Sequence, residues 1–223
     1  METTRSNDGL PQGRVGGIII AACTALSLLA IAHHPTLQIS KIETGIEQVV
    51  RLASLDRLVH GVMIAITLAL DFGYAIFSFR CGIHRQSVLV GLIAYAVGSA
   101  AIISAALIDG FVLPAIAEQY VSLPRAASAA ATLFSFCAIE IETFTRFGLI
   151  ATSVAILAWS APLLRRSGSL QLAAVTGVVS ALASVALLTM MRAPLNPQTL
   201  LLLLGAQSIW NLAVANVLLR RSL

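Results

Sequence analysis

The sequence predicts an all-α polytopic membrane protein: a bundle of about six transmembrane helices, with a further amphipathic helix on its outer surface. Three observations carry this. Of 223 residues, 58% are hydrophobic and only 11% charged, and mean hydropathy is +0.90. A soluble domain has roughly 25% charged residues, so this chain lacks the polar surface to face water. The apolar residues also fall in stretches of spanning length, for which about 20 residues each suffice. Arginines, often paired, punctuate those stretches. The whole chain, 1–223, reads as a single transmembrane domain.

The spans fall at about 15–33, 58–79, 87–117, 143–164, 170–191 and 199–219. The first follows Arg14 and ends at a His-His pair. Its Ala30-Ile-Ala32 also matches a cleavable signal, which would make His33 the new amino terminus, but the run is long enough to span. Residues 38–55 place Ile39, Ile42, Ile46, Val49, Val50 and Ala53 at a helical period with charges between, as expected of a helix lying on the membrane surface. The second span carries Asp71 near its middle, where charge is costly. The third contains Asp109-Gly110 and Pro114, a pattern that interrupts a helix. The apolar, alanine-rich segment 125–141 has an open placement. Joined to the fourth span it would reach roughly 60 Å and must break, tilt or project. The fifth span sets small residues at Ala173, Gly177, Ala181 and Ser184, suited to close helix packing. The sixth carries Gln207 and Asn211 one turn apart.

Charge orients the bundle. Arg5 and Arg14, Arg80 and Arg85, Arg165 and Arg166, and Arg220 and Arg221 all fall on one side of six spans. The other side holds Lys41, Arg51, Arg57, Arg125 and Arg192, offset by Glu43, Glu47, Asp56 and Glu118. Eight basic residues against five favour both termini in the cytoplasm, in a multi-pass inner-membrane protein. The formal charge of +4 is therefore a topology signal and not a nucleic-acid footprint.

Several ionisable residues share one depth. Counting along ideal helices puts His60 about 30 Å from Arg80 and Asp109 about 33 Å from Ser87, both toward the outer side. His33 and His34 end the first span there, with Glu140 and Glu142 on the outer part of the fourth. Imidazoles and carboxylates at one depth suit a transition metal such as zinc or copper, so His33, His34, His60, Asp109 and Glu140 are the candidate ligands. Asp109, Glu142 and Arg146 are the candidate catalytic groups, although Glu142 and Arg146, at i and i+4, also suit a structural ion pair. His60 and His34, on neighbouring spans, are the candidate cofactor ligands if the group is haem. Asp71 should face the bundle interior and meet a donor, with Gln207 and Asn211 as candidates. His84 lies in a basic loop and should be exposed. Cys23, Cys81 and Cys137 show neither disulfide nor metal-type spacing.

The motifs His34-Pro35, His60 and Asp109-Gly110 with Pro114 resemble those of a loose class of six-span bacterial inner-membrane proteins. The resemblance covers most of the chain and implies the architecture and the choice of residues, with no activity attached. From the residues, the leading reading is a periplasmic-side His/carboxylate site that binds a transition metal for hydrolysis of a lipid-like substrate or for metal handling. The alternatives are a haem-binding electron-transfer protein, a small transporter with a proton relay through Asp109, His60 and Asp71, and a non-catalytic subunit of a membrane complex. The expected partners are the lipid bilayer and either another membrane protein or a second copy. No Walker loop, dinucleotide fingerprint, nucleophile elbow or nucleic-acid module is present.

Overall fold

A computed structural model describes residues 10–33, 42–121, 127–191 and 193–220. These residues are helical with no strand: α1 (Leu10–Ala32), α2 (Ile42–Cys81), α3 (Gln86–Leu107), a π-helical turn (Ile108–Val112), α4 (Leu113–Tyr120), α5 (Ala127–Leu163), α6 (Ser169–Met190) and α7 (Pro197–Leu219). Six helical stretches are long and apolar enough to cross a membrane. Large apolar side chains such as Ile18, Phe72, Ile93, Ile139, Leu172 and Leu202 point outward, as a lipid-facing surface requires.

The helical period expected over 38–55 is present from Ile42 onward. It does not form a separate surface helix: it runs unbroken into the second span, giving one helix of 40 residues. Segment 125–141 likewise joins the fourth span from Ala127 on, making α5 37 residues long. Both overshoot a bilayer, and both overshoot at the same end, where α4 also ends. There Ile46 and Val49 of α2, Ala117 of α4 and Ala130 of α5 bury one another, with Val50, Leu113, Tyr120 and Phe134 packed around them. An Arg57–Glu118 ion pair of 2.8 Å ties α2 to α4. Each projecting segment thus buries one apolar face against the other two, while Leu133, Phe136 and Ile139 of α5 stay exposed.

Chain neighbours are neighbours in space, α3 continuing through α4 to α5, and α1 returns to α7, so the long helices close a ring. The α3–α5 contact is the most extensive. It depends on glycine, since a side chain on Gly98 would meet the Gly148 carbonyl at 2.9 Å. The small face of α6, including Ala173, Gly177, Ala181 and Ser184, is buried between α5 and α7. Toward the arginine-bearing links the ring is filled. Tyr74, Phe77, Tyr95, Trp159 and Trp210, from four helices, are all buried. Tyr74 stacks on Trp159 and Trp210 at centroid distances of 5.1 and 5.4 Å, and the two tryptophans stack at 5.7 Å.

Candidate functional site

Above that aromatic layer the ring is hollow. A cavity of about 450 Å³ is lined by every long helix except α6. The α2 face that lines it, Val49, Leu52, Asp56, His60, Met63, Thr67 and Leu70, repeats every three to four residues. The same face continues as Tyr74, Phe77 and Cys81 in the packed layer. Cavity and plug are therefore consecutive stretches of one helix face.

His60 sits toward the end of the cavity remote from the arginines and is only 2% exposed. Asp56, one turn earlier on α2, accepts a hydrogen bond from His60 Nδ1 at its backbone carbonyl (2.9 Å). Its carboxylate Oδ1 lies 3.2 Å from the same nitrogen. A carbonyl only accepts, so Nδ1 carries a proton. Nε2 then faces Asp109, whose Oδ2 is 3.2 Å away. A hydrogen bond across that gap requires one proton shared between imidazole and carboxylate, so the pair is a place where a proton can be held and passed.

The interruption expected around Asp109-Gly110 is the π-helical turn. Such turns insert a residue into an α-helix and often mark functional sites. Here the turn presents Asp109 to His60 and presses Gly110 against the ring. A Cβ on Gly110 would stand 2.6 Å from His60 Cγ, so only glycine fits. Pro114 follows in the first turn of α4 and is buried.

The other sequence candidates are placed differently. His33 is exposed at the end of α1, its Nδ1 donating to the Leu29 carbonyl of its own helix at 2.9 Å. His34 lies outside the described residues. Glu140 is half-buried on α5 and is not among the residues lining the cavity. Asp56 and Asp109 approach opposite ring nitrogens of His60, so the three cannot converge on one ion. Among the described residues, no three His, Cys, Asp or Glu side chains are placed to hold a metal.

Glu142 reaches the cavity, but it and Arg146 form a clamp on the α6–α7 link. Arg146 Nε donates to Glu142 Oε1 at 2.6 Å. Its Nη1 donates to the carbonyls of Leu188 (2.8 Å) and Met191 (3.2 Å), and Nη2 to that of Ala193 (2.8 Å). Glu142 Oε2 accepts the Leu195 N–H at 2.9 Å. A cation is thus set at the C-terminal carbonyls of α6, where acceptors lack helical partners.

At the far end of the cavity Ser99 donates to Asp71 Oδ1 at 2.7 Å. Asp71 therefore meets a donor, but on α3; the expected Gln207 and Asn211 have other partners. Tyr74 donates to Asn211 Oδ1 (2.6 Å), and Asn211 Nδ2 to Thr24 (3.2 Å). Gln207 lies 3.5 Å from Thr152. His84 is exposed and the three cysteines are free and buried. Sequence reasoning missed Asp56, because starting the span at 58 left it in a loop. Its i, i+4 spacing to His60 was the available signal. The chain matches no protein-family model, no curated protein and no solved structure, so the site rests on its own geometry.

Proposed function

We propose that this membrane protein binds an amphipathic small molecule inside the ring, its polar group at the His60–Asp109 pair and its apolar part along Met63, Leu70, Ile102, Leu149 and Leu204. One observation carries the reading: a single cavity has a buried histidine paired with a half-buried aspartate toward one end and a largely apolar wall below it. Ligand pockets commonly have volumes of about 300–1,000 Å³ and are apolar with a few placed polar groups. Among the described residues, the ionisable side chains lining the cavity are Asp56, His60, Asp109, Glu142 and Tyr95, with no arginine or lysine, which favours a neutral or cationic polar group over a carboxylate or phosphate. The expected metal centre is less well supported, since it would have to take His60 from its two carboxylate partners. The arginine-bearing links are read as cytoplasmic, so the His60 end faces the opposite side of an inner membrane. Ser167, exposed in the α5–α6 link, should then react with an impermeant thiol probe, once replaced by cysteine, only from the cytoplasm.

Mass spectrometry of amphiphiles that co-purify with the protein tests the binding. The native chain should retain a defined species, and Leu204→Trp, which fills the cavity, should lose it while remaining folded. Retention unchanged by that substitution would refute binding in the cavity. A second reading, proton-coupled transport, is favoured by one observation: the cavity that holds His60 also reaches Ser99, the partner of Asp71. It requires that Asp71→Asn abolish proton flux in vesicles, because an amide keeps the hydrogen bond but cannot exchange a proton. Undiminished flux would remove this reading.

A further inference from the structure

The end of the bundle opposite His60 has a second, smaller pocket that the proposed function does not use. It has a volume of about 130 Å³ and is lined by Arg80, Arg85 and Arg166 together with Cys81, Pro162, Leu163 and Leu170. The arginines come from three separate places: the last turn of α2, the α2–α3 link and the α5–α6 link. The positive-inside rule asks for basic residues in these links, but not that they surround one pocket. Among the described residues, no carboxylate lines it.

Backbone geometry holds the cluster together. Gly82 has φ +93°, a conformation in which other residues are strained. It turns the chain immediately after Cys81, and the Arg85 N–H closes the turn on the Gly82 carbonyl at 3.0 Å. A side chain on Gly82 would meet His84 at 3.0 Å and Arg85 at 3.6 Å. In the second link the Arg166 N–H bonds the Leu163 carbonyl at 3.0 Å, tightening the end of α5. Both turns return an arginine toward the span ends. Arg85 and Arg166 remain exposed to solution.

We propose that this pocket binds a phosphate group, carried by an anionic lipid or free as inorganic phosphate. Guanidinium groups present paired N–H donors that match phosphate oxygens, and several such groups around one anion form charge-assisted hydrogen bonds. The apolar remainder of the wall, Pro162, Leu163 and Leu170, lies beside the arginines and accommodates the carbon skeleton of a lipid phosphoester. The site is independent of the amphiphile cavity, which sits on the other side of the aromatic layer and, among the described residues, has no arginine in its wall.

The test is a titration of the purified full-length protein in an uncharged detergent, followed by thermal stability. Short-chain phosphatidylglycerol, short-chain phosphatidylcholine and inorganic phosphate are added separately. Stabilisation by phosphatidylglycerol alone identifies a lipid phosphate as the ligand; stabilisation by inorganic phosphate as well identifies the phosphate group itself. R85Q and R166Q should each raise the half-saturating concentration about tenfold, the loss of one charge-assisted interaction. Should R80Q/R85Q/R166Q not fold, R85Q/R166Q replaces it, since both side chains are exposed. The comparison protein R14Q/R165Q/R220Q changes charge by the same amount outside the pocket and should bind as the native chain does. Gly82→Ala, which alters no charge, should also weaken binding. The proposal is overturned if neither phosphate source stabilises the protein, if phosphatidylcholine does so equally well, or if the comparison protein loses as much affinity as R80Q/R85Q/R166Q.

Discussion

The two halves of the helix ring use the same helices to opposite ends. On the arginine side, α2, α3, α5 and α7 contribute Tyr74, Tyr95, Trp159 and Trp210, and the interior is filled. One to three turns further along, the same faces carry Thr67 and Met63, Ser99 and Ile102, Thr152 and Leu149, and Gln207 and Leu204, and the interior is a cavity. Backbone paths need not differ for this. Changing side-chain volume at one depth on four helices is enough to make one half a plug and the other a vessel. In the packed half Tyr74 and Trp159 donate to Asn211 and Ser78, while Trp210 Nε1 is buried with no acceptor among the described residues. The hollow half holds a histidine between two carboxylates.

The sharpest test of this contrast is Trp159→Ala. It should destabilise the bundle by about 3–5 kcal/mol in detergent unfolding, because the stacked rings and Gly91 cannot collapse into the gap. A loss below about 1 kcal/mol would mean that the aromatic layer is not a packed wall. Gly110→Ala comes next, at about 1–3 kcal/mol, since the added methyl must push His60 or the π-helical turn aside. The same substitution should release whatever occupies the cavity, and retained stability together with retained ligand would argue against the close approach.

Asp71 gives a smaller effect that separates two causes. Asp71→Asn should be nearly silent in unfolding, as the amide oxygen still accepts from Ser99, whereas Asp71→Leu should cost about 1–2 kcal/mol by removing that acceptor. Equal effects would show that the hydrogen bond is not what holds the residue. The smallest change is expected from Leu204→Ala in the hollow half, under about 1 kcal/mol, because one side of that side chain already lacks contact partners. A cost matching that of Trp159→Ala would erase the distinction between the halves.

Much of this was legible in the sequence for a simple reason: hydrocarbon demands long apolar helices, and arginine marks their ends. The six helices long enough to span follow from that demand. The Asp-Gly and Pro114 pattern also pointed to a local departure from α-helix beside an acidic group. Equal depth made His60 and Asp109 candidates to meet, but it put His33 and Glu140 in the same layer, and those stand apart from His60. Asp56 was not legible as a site residue, because its position depends on α2 continuing unbroken past the membrane boundary. That continuity is decided by α4 and α5, which cover Ile46 and Val49. Nor could spacing along single helices show Tyr74, Tyr95, Trp159 and Trp210 meeting, since their contact depends on how four helices rotate about their axes. For Arg146 the spacing showed only the Glu142 pair. Its carbonyl acceptors lie more than 40 residues away, at the end of α6 and just beyond it, on a path fixed only in three dimensions.

The π-helical turn has a consequence for how this chain could vary. The turn closes on i→i+5 hydrogen bonds where an α-helix closes on i→i+4, so it absorbs one extra residue, and removing one residue from 108–112 restores an ordinary helix with the face of α4 largely in place. Leu113, Ala117 and Tyr120 would stay against α2 and α5, whereas the turn itself, which aims Asp109 and Gly110 at His60, would be re-aimed. The histidine site, and not the projecting cap, is thus tied to a single inserted residue. A lineage that lost it would keep the bundle and lose the pairing, so a one-residue deletion in this turn should cost ligand retention far more than it costs stability.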